Sequence, residues 1–413
     1  MENQSQTPQP ESEQSGSSDD AAKAQLIRMA RENIAMVKAD QLELADEVLS
    51  VPAAHYVDTE RWQQEVDRVF KRLPLMLAMS CEMKAPGDYK TLDVCGMPVL
   101  LVRDESLTMR AYINSCSHRG AVVATERSGN KRRFSCPYHA WTFNHGGELV
   151  AILSEHEFGE IDKSCRGLTP LPVGERAGMI WVTLNPDAKI ELDDFLCGYD
   201  KVLQQFDFAD WELFAHRTLK GPNWKIAYDG YLDLYHLPVL HRETFGAQFP
   251  NQAIYNGWGP HQRASSPNPE LLPYENKPVE EWPMELLMDG VWTIFPHISI
   301  AGFDGGGGRG VMVSQLFPGD SPEESYTVQN YVMEKMPDTK EKEQAATEQF
   351  AFLEHVVRDE DYSTGIAQER AIRSRPGFEL LFGRNEGGGQ NFHRFLDQLL
   401  DCEDADLHKL FQD

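Results

Sequence analysis

The sequence predicts an α+β chain in which a small β domain precedes a larger, mixed part. Between residues 73 and 185, short runs of alternating apolar residues are separated by Gly, Pro, Asn and Asp, as is typical of a small antiparallel β domain. After residue 186 helical and strand-like patterns are mixed. Helical periodicity covers about 194–206, 224–241 and 340–373, and strand-like runs cover about 291–302, 310–317 and 325–335.

The N-terminal part divides into a polar tail and two helices. Residues 1–22 contain no aromatic or branched apolar side chain, so we expect a disordered tail. In residues 23–39 Leu26, Ile27 and Ile34 recur with helical spacing, and residues 59–71 show a similar pattern. We therefore expect helices within 23–72 that pack against the larger domain.

Charge and hydropathy exclude several classes of partner. The formal charge of −26 argues against nucleic acid or an anionic membrane, whose phosphates would repel the chain. The acidic surface would suit a basic redox partner, or it could serve solubility alone. No run of about 18 apolar residues and no signal peptide is present, so we expect a cytoplasmic protein.

Two of the seven cysteines lie beside histidines at ligand spacing. The order is Cys116-x-His118, a gap of 17 residues, then Cys136-x-x-His139. Two thiolates and two imidazoles on two loops suit a [2Fe-2S] cluster in which one iron takes both sulfurs and the other both histidines. A structural zinc site is the alternative, but zinc fingers group their cysteines together and their histidines together. The other five cysteines are expected to be reduced thiols.

A second motif, Asp-x-x-His-x4-His, joins Asp233, His236 and His241. Residues 233 and 236 would share one face of a helix, and Pro238 would end that helix so that His241 returns to the same point. Two imidazoles and one carboxylate form the facial triad of non-haem Fe(II) sites, which leaves positions open for O2. A purely structural histidine pair is the alternative.

Together the two motifs resemble the oxygenase α subunit of the Rieske non-haem iron oxygenases, the aromatic-ring-hydroxylating family. The resemblance runs from about residue 55 to 400 and includes the Pro86-Gly87-Asp88-Tyr89 and Asn223-Trp224-Lys225 segments. It implies an all-β Rieske domain over 73–185. It also implies a catalytic domain over 186–413, with an antiparallel sheet flanked by helices in a helix-grip, START-like arrangement.

The resemblance also implies roles for individual residues. The cluster ligands would be Cys116, His118, Cys136 and His139, and the mononuclear iron would be held by His236, His241 and Asp361. Asp361 fits the family's late Glu-Asp motif followed by a glutamine, here Gln368, and Asp359 is its competitor. Asp233 would bridge a cluster histidine of one subunit and an iron histidine of its neighbour. The chain departs from the family at Asp229-Gly230, where Glu-Asn often stands.

By the same resemblance, the chain is expected to be a terminal oxygenase. Electrons derived from NAD(P)H would come from a reductase, with or without a ferredoxin, and cross from the Rieske cluster through the adjacent subunit's Asp233 to the Fe(II). O2 would then be used to hydroxylate an aromatic or other small organic substrate, as in aromatic hydrocarbon catabolism. A homotrimer, with or without a β subunit, would bring cluster and iron together.

Three other readings stay open at this point. The chain could be an O- or N-demethylating monooxygenase of the same family, an electron-transfer protein with a non-functional catalytic half, or a zinc-stabilised binding protein. The resemblance also implies a substrate pocket lined by residues 226–246 and by the strands that hold Ile294, Phe295, His297, Ile298 and Phe303. His297 lies on those strands, but a buried core histidine is the simpler interpretation.

Overall fold

Five antiparallel sheets organise the residues that the computed structural model describes, which are 13–248, 251–304 and 306–412. The strands are β1 (Leu49–Pro52), β2 (Pro74–Met79), β3 (Asp88–Val94), β4 (Met97–Arg103), β5 (Met109–Ile113), β6 (Ser128–Asn130), β7 (Phe134–Ser135), β8 (Thr142–Phe143), β9 (Leu149–Ala151), β10 (Val173–Arg176), β11 (Met179–Thr183), β12 (Glu212–Gly221), β13 (Ile254–Trp258), β14 (His261–Ser265), β15 (Val291–Ile294), β16 (Ile298–Asp304), β17 (Arg309–Pro318), β18 (Ser325–Met333) and β19 (Glu379–Phe382).

Helices surround these sheets. They are α1 (Glu13–Ala39), α2 (Ala54–Val57), α3 (Thr59–Glu65), α4 (Glu155–Phe158), α5 (Leu192–Leu196), α6 (Tyr199–Leu203), α7 (Trp224–Asp229), α8 (Leu237–Leu240), α9 (Met284–Leu287), α10 (Lys340–His355), α11 (Ser363–Arg373) and α12 (Gly387–Asp401). Two π-helical segments, Val66–Phe70 and Val356–Tyr362, continue α3 and join α10 to α11. Within the described part of the chain, no helix has the length and apolar character that crossing a membrane requires.

The small β domain is built from three sheets, with strand orders β5-β4-β3-β6, β7-β8-β9 and β10-β11-β2. Its ligand loops sit against a compact apolar cluster that includes Trp141 and Phe143, with Cys116 and Cys136 at its edge. The prediction of a small antiparallel β domain is confirmed.

The larger part contains one seven-stranded sheet, in the order β12-β18-β17-β16-β15-β14-β13. Helix α12 packs in the core beside it, because its apolar face buries Phe392, Leu396 and Leu399. The Phe392 ring lies 5.9 Å from that of Phe295 and 5.7 Å from that of Trp224 on α7. The α+β class, with an antiparallel sheet flanked by helices, is confirmed.

Two side chains of the larger part, one on β17 and one in the connection between β15 and β16, hold a strand of the small domain. The backbone N–H of Met76 on β2 donates to His297 Nε2 at 3.1 Å, and its carbonyl accepts from Gln315 Nε2 at 2.7 Å. His297 is buried and burial lowers its pKa to about 3, so it is a neutral acceptor. His297 is therefore a core histidine that couples the two domains.

The predicted N-terminal tail is shorter than expected. Residues 1–12 of the predicted 1–22 tail lie outside the described residues, but helix α1 already begins at Glu13, ten residues before the expected start. The prediction is therefore wrong for residues 13–22. Ala22 is buried with Leu26 and Ile27, and a helix that packing has nucleated extends through polar residues at little cost.

The predicted helix that carries residues 233 and 236 and ends at Pro238 is also wrong. Helix α7 ends at Asp229, a turn follows, and α8 starts only at Leu237. Pro238 lies in the first turn of α8, where a proline costs nothing because that N–H has no helical partner. The close approach of Asp233 and His236 is therefore a property of the turn, and no helical face is involved.

Two further boundaries differ from the sequence patterns. The residues with helical periodicity over 194–206 form two short helices, because Cys197 and Gly198 adopt left-handed backbone angles between α5 and α6. The strand-like run at 291–302 divides at Pro296 into β15 and β16. Strands β12, β13 and β14 carry no alternating apolar pattern and were not predicted.

Candidate metal centres

The two Cys/His loops of the small domain repeat one backbone arrangement. In the first, the N–H of Gly120 donates to the Cys116 carbonyl at 2.8 Å; in the second, the N–H of Ala140 donates to the Cys136 carbonyl at 2.9 Å. Gly120 and Ala140 both have left-handed φ angles, of +74° and +54°. The loops thus form a symmetric pair that brings all four predicted ligands to one end of the domain.

Within this pair, sulfur faces sulfur and imidazole faces imidazole. Cys116 and Cys136 are each 3% exposed, whereas the half-buried rings of His118 and His139 lie 4.7 Å apart at the tip. Burial raises the pKa of the Cys116 thiol, while the backbone N–H groups of His118 and Arg119 lower it by facing the sulfur. Such N–H groups stabilise thiolate ligands.

Aromatic rings shield the histidine side of these loops. Trp141 stacks on His118, with ring centroids 4.8 Å apart and planes 10° apart, and Phe158 meets the same imidazole edge-on. Tyr138 stacks on His139 at 3.7 Å, yet it is 59% exposed. The imidazole pair therefore lies just beneath the surface, where a partner can approach it closely.

The second centre joins three residues from two distant segments. One ligand atom from each of His236, His241 and Asp361 lies within 4.8 Å of the others. Asp361 Oδ1 is 3.0 Å from His241 Nε2 and 3.7 Å from His236 Nε2. The structure thus brings together two imidazoles and the carboxylate of Asp361, the donor set that the resemblance implies.

The turn before α8 positions His236. The carboxylate of Asp233 accepts from the backbone N–H of Tyr235, and it accepts from that of His236 at 3.2 Å. Its second oxygen contacts His236 Nδ1 at 2.9 Å. An aspartate that caps a turn in this way fixes both the backbone and the imidazole of the same histidine.

Asp361 comes from the π-helical segment between α10 and α11. The competitor Asp359 is paired with Arg358 at 2.8 Å and with His355 at 2.9 Å. Its carboxylate therefore faces away from His236 and His241. These two partners hold the pKa of Asp359 well below its usual range. Glu360 contacts the other ring nitrogen of His241, Nδ1, at 2.7 Å. Of the three acidic residues, only Asp361 faces both imidazoles.

The acidic residues of the site change the pKa of His241. Burial alone would lower its pKa, but Asp361 and Glu360 raise it above the ordinary value. A site that stabilises a proton on a buried imidazole also suits a divalent cation. The donor set therefore fits an iron ion on the chemistry of its own residues.

A cavity of about 520 Å³ opens beside this centre. Its wall contains Asp233, His236 and Asp361, together with residues of α7, α11 and β19. Residues of the 226–246 segment lie in this wall, together with residues of α11 and β19, whereas Ile294, Phe295 and Ile298 are buried in the core. Which of these residues line the substrate pocket stays a prediction.

Two buried polar networks behind α7 also escaped prediction. Tyr56 Oη donates to Asp229 Oδ2 at 2.8 Å, and His393 Nε2 contacts Asp229 Oδ1 at 3.0 Å. Glu65, which is fully buried, pairs with the equally buried Lys225. Glu65 also accepts from Trp224 Nε1 at 2.9 Å. The only sequence signals were the unusual Asp229 and the Asn-Trp-Lys segment.

Comparison with known families decides the identity of the chain. A family model described as the Rieske [2Fe-2S] domain matches residues 74–162, and one described as the ring-hydroxylating alpha subunit, catalytic domain, matches residues 208–401. The chain belongs to the Rieske ring-hydroxylating oxygenase family. The two matched domains imply a [2Fe-2S] cluster and a mononuclear iron, for which the donor sets described above are suited.

The curated relatives match about half of this chain. A glycine betaine monooxygenase oxygenase subunit of Chromohalobacter salexigens is 30% identical over 211 residues, covering 51% of this chain and 47% of the relative. A carnitine monooxygenase oxygenase subunit of Escherichia coli is 32% identical over 198 residues, covering 47% of this chain and 53% of the relative. The chain thus spans about half the length of the relatives it matches.

Solved structures share the fold of this chain over most of their length. A quaternary ammonium Rieske monooxygenase superposes with a TM-score of 0.70 at 22% identity, covering 86% of this chain and 96% of the other. Naphthalene 1,2-dioxygenase from Rhodococcus sp. superposes with a TM-score of 0.72 at 21% identity, covering 90% of this chain and 97% of the other. At such identities the likeness establishes the fold alone.

Proposed function

We propose that this chain is the terminal oxygenase component of a Rieske oxygenase system, an oxidoreductase that hydroxylates a small organic substrate with O2. The observation that carries the proposal is the convergence of His236, His241 and Asp361 in a chain that also has the paired Cys/His loops. When bound, the cluster would supply single electrons and the mononuclear iron would activate O2.

The chain's own residues have distinct tasks in this proposal. Cys116, Cys136, His118 and His139 would hold the cluster, and the aromatic rings around the histidines would keep water away from it. His236, His241 and Asp361 would hold the iron on one side and leave the rest of its coordination sphere open. Asp233 would fix the tautomer of His236 and offer its carboxylate to a cluster histidine of the neighbouring subunit.

The electron donors and the assembly belong to the same proposal. The donor would be a reductase, with or without a ferredoxin, and the chain would form a head-to-tail homotrimer, with or without a β subunit. The exposed Tyr138 beside His139 supports an approach of the cluster tip to another subunit. A cytoplasmic location is part of the proposal and rests on the five cysteines outside the paired Cys/His loops, which form no disulfide, and on the acidic composition.

Mixed assemblies test the head-to-tail arrangement. Chains with Cys136→Ser would lack the cluster and chains with His236→Ala would lack the iron, so each variant alone should be inactive. Co-assembled at equal amounts, they should regain about one quarter of wild-type turnover, because one in four cluster–iron contacts would join two intact centres. No recovery in a verified mixed trimer would contradict electron transfer between subunits.

The substrate can be sought among two chemical classes. The relatives named as glycine betaine and carnitine monooxygenases favour a quaternary ammonium compound and oxidative demethylation as a second candidate beside aromatic hydroxylation. We expect O2 uptake, coupled to NADH through a surrogate reductase, with one class only. Product masses would distinguish a hydroxylated ring from a demethylated amine. No uptake with either class, in a protein that holds both irons, would count against the proposal.

A further inference from the structure

We infer that Glu360 is the positioning residue of His241: its carboxylate keeps the Nδ1 atom protonated and so leaves Nε2 free to bind the metal. The inference rests on the proposed function. Glu360 Oε2 lies 2.7 Å from His241 Nδ1, while Asp361 Oδ1 lies 3.0 Å from Nε2 of the same ring. Two consecutive carboxylates thus face opposite nitrogens of one imidazole.

The chemistry of imidazole explains why these two contacts are not equivalent. A neutral imidazole carries one proton, and the nitrogen without it provides the lone pair for a metal. Nε2 is the ring nitrogen that faces Asp361, as Nε2 of His236 does, whereas the Glu360 oxygen faces Nδ1, where it can accept the imidazole N–H. Glu360 cannot be a ligand of the same ion, because the two ring nitrogens point in different directions.

A second contact holds Glu360 in place. The hydroxyl of Thr244 donates to Glu360 Oε2 at 2.9 Å, and Thr244 lies in the turn that His241 begins. The carboxylate is therefore tied to both ends of that turn. His241 is only 2% exposed, so no water competes for its Nδ1 as it would at the surface.

The two histidines of the centre are oriented by different means. His236 Nδ1 contacts Asp233, which belongs to its own turn and lines the cavity. His241 depends on a carboxylate that arrives from the π-helical segment 119 residues later. Glu360 therefore also ties the position of Asp361 to that of His241, because both belong to the same helical turn.

Metal affinity measures this role without any need for turnover. Binding of Fe(II) and Co(II) to the full chain, with its cluster in place, would be compared for the wild type and for Glu360→Ala. We expect affinity to fall by about 10- to 100-fold, the usual cost of removing such an outer carboxylate. The Co(II) absorption bands should change as well, while the cluster spectrum should not.

The neighbouring Asp359 provides a matched control. Asp359→Ala removes the same charge one residue away, from a side chain that faces Arg358 and His355. Its metal affinity should stay within about twofold of wild type, the change expected for a distant exposed charge. Glu360→Gln should retain most of the affinity, because its amide oxygen can accept the same two hydrogen bonds.

Each other outcome would overturn the inference. Wild-type affinity in Glu360→Ala would show that Glu360 positions nothing, and an equal loss in Asp359→Ala or in Glu360→Gln would assign the effect to charge. Were Glu360→Ala too unstable to purify, Thr244→Val would replace it, with an expected loss of several-fold. Failure of the proposed function would look different, since His236→Ala would then bind metal as tightly as wild type.

Discussion

At the scale of single residues, the two ligand loops differ at one strained backbone position. Gly120 and Ala140 both adopt left-handed φ angles, which cost a residue with a Cβ about 1 kcal/mol and cost glycine nothing. Ala140 therefore stores a small strain beside His139. Because the two loops are symmetric, Gly120 is the position with which Ala140 can be compared.

We predict that Ala140→Gly will leave the stability unchanged or raise it by up to about 1 kcal/mol, since the strain relieved exceeds the added freedom of the unfolded chain. Gly120→Ala should lower the stability by about 1 kcal/mol, because a Cβ there has room but the wrong φ angle. Denaturant titrations of the holoprotein would measure both. Destabilisation by Ala140→Gly would contradict the shared loop geometry.

Buried histidines make the fold sensitive to acid. Burial lowers the pKa of His297 to about 3 and that of His261 to about 4. Because both values lie below the pKa of about 6.5 in the unfolded chain, the unfolded state binds more protons at mildly acidic pH. The two buried, neutral histidines therefore contribute fully to the free energy of unfolding above pH 6.5, and this contribution is lost as the pH falls toward 4.

The corresponding prediction concerns His297→Gln, which can still accept from the Met76 N–H. Between pH 7 and pH 4 its free energy of unfolding should fall less than that of wild type, by on the order of 2 kcal/mol. His156→Gln, at an exposed position, should follow the wild-type curve. Equal slopes for all three proteins would show that His297 is not buried in its neutral form.

At the residue scale, sequence could indicate most of the proposed ligands but not the residues that support them. Cys116, His118, Cys136, His139, His236 and His241 could be proposed as ligands because their spacing is local. The choice between Asp359 and Asp361 needed the π-helical segment, in which one additional residue per turn decides which side chain faces inward. The contacts of Tyr56 and His393 with Asp229 join distant segments, so no local pattern could indicate them.

At the scale of elements, helix α7 is held from behind by the N-terminal helices. Lys225 and Glu65 are fully buried and paired, and Arg61 adds a contact to Glu65 at 3.1 Å. Burial lowers the pKa of Lys225, and Glu65 opposes that change. The pair fixes the helix that leads into Asp233 and His236.

Removal of one member of this pair should be costly. Glu65→Ala is expected to lower the free energy of unfolding by about 3–5 kcal/mol, since the Lys225 ammonium would stay buried without a counter-charge. The double variant Glu65→Leu with Lys225→Met should lose much less, because both charges are removed together. Urea unfolding would compare them. If Glu65→Ala lost no more stability than the double variant, the Lys225 ammonium would have to reach water.

Elements with strong periodicity were predicted and the others were not. The segment 340–373 is helical as expected, and β17 and β18 match the predicted runs closely. Strand β12 was missed because charged side chains such as Glu212, Arg217 and Lys220 interrupt its alternation. The turn after α7 was read as helix because its apolar spacing is helical, although the carboxylate of Asp233 stabilises a turn there.

At the scale of the whole molecule, one chain carries two separated donor sets of different chemistry. The small domain presents its imidazoles at an exposed tip, and the large domain presents its triad beside an open cavity. His297 and Gln315 hold β2 of the small domain against the large sheet. The pairing of the two sets between subunits is part of the proposed function, because the resemblance implies it and no local sequence pattern indicates it.

The central claim is that both donor sets bind iron, and anaerobic metal analysis tests it most directly. We predict about three iron atoms per chain, two in the cluster and one at the mononuclear site, with negligible zinc. His241→Ala should retain only the two cluster irons, with an unchanged cluster spectrum. No iron beyond the cluster in the wild-type chain, or zinc in the Cys/His loops, would contradict the account.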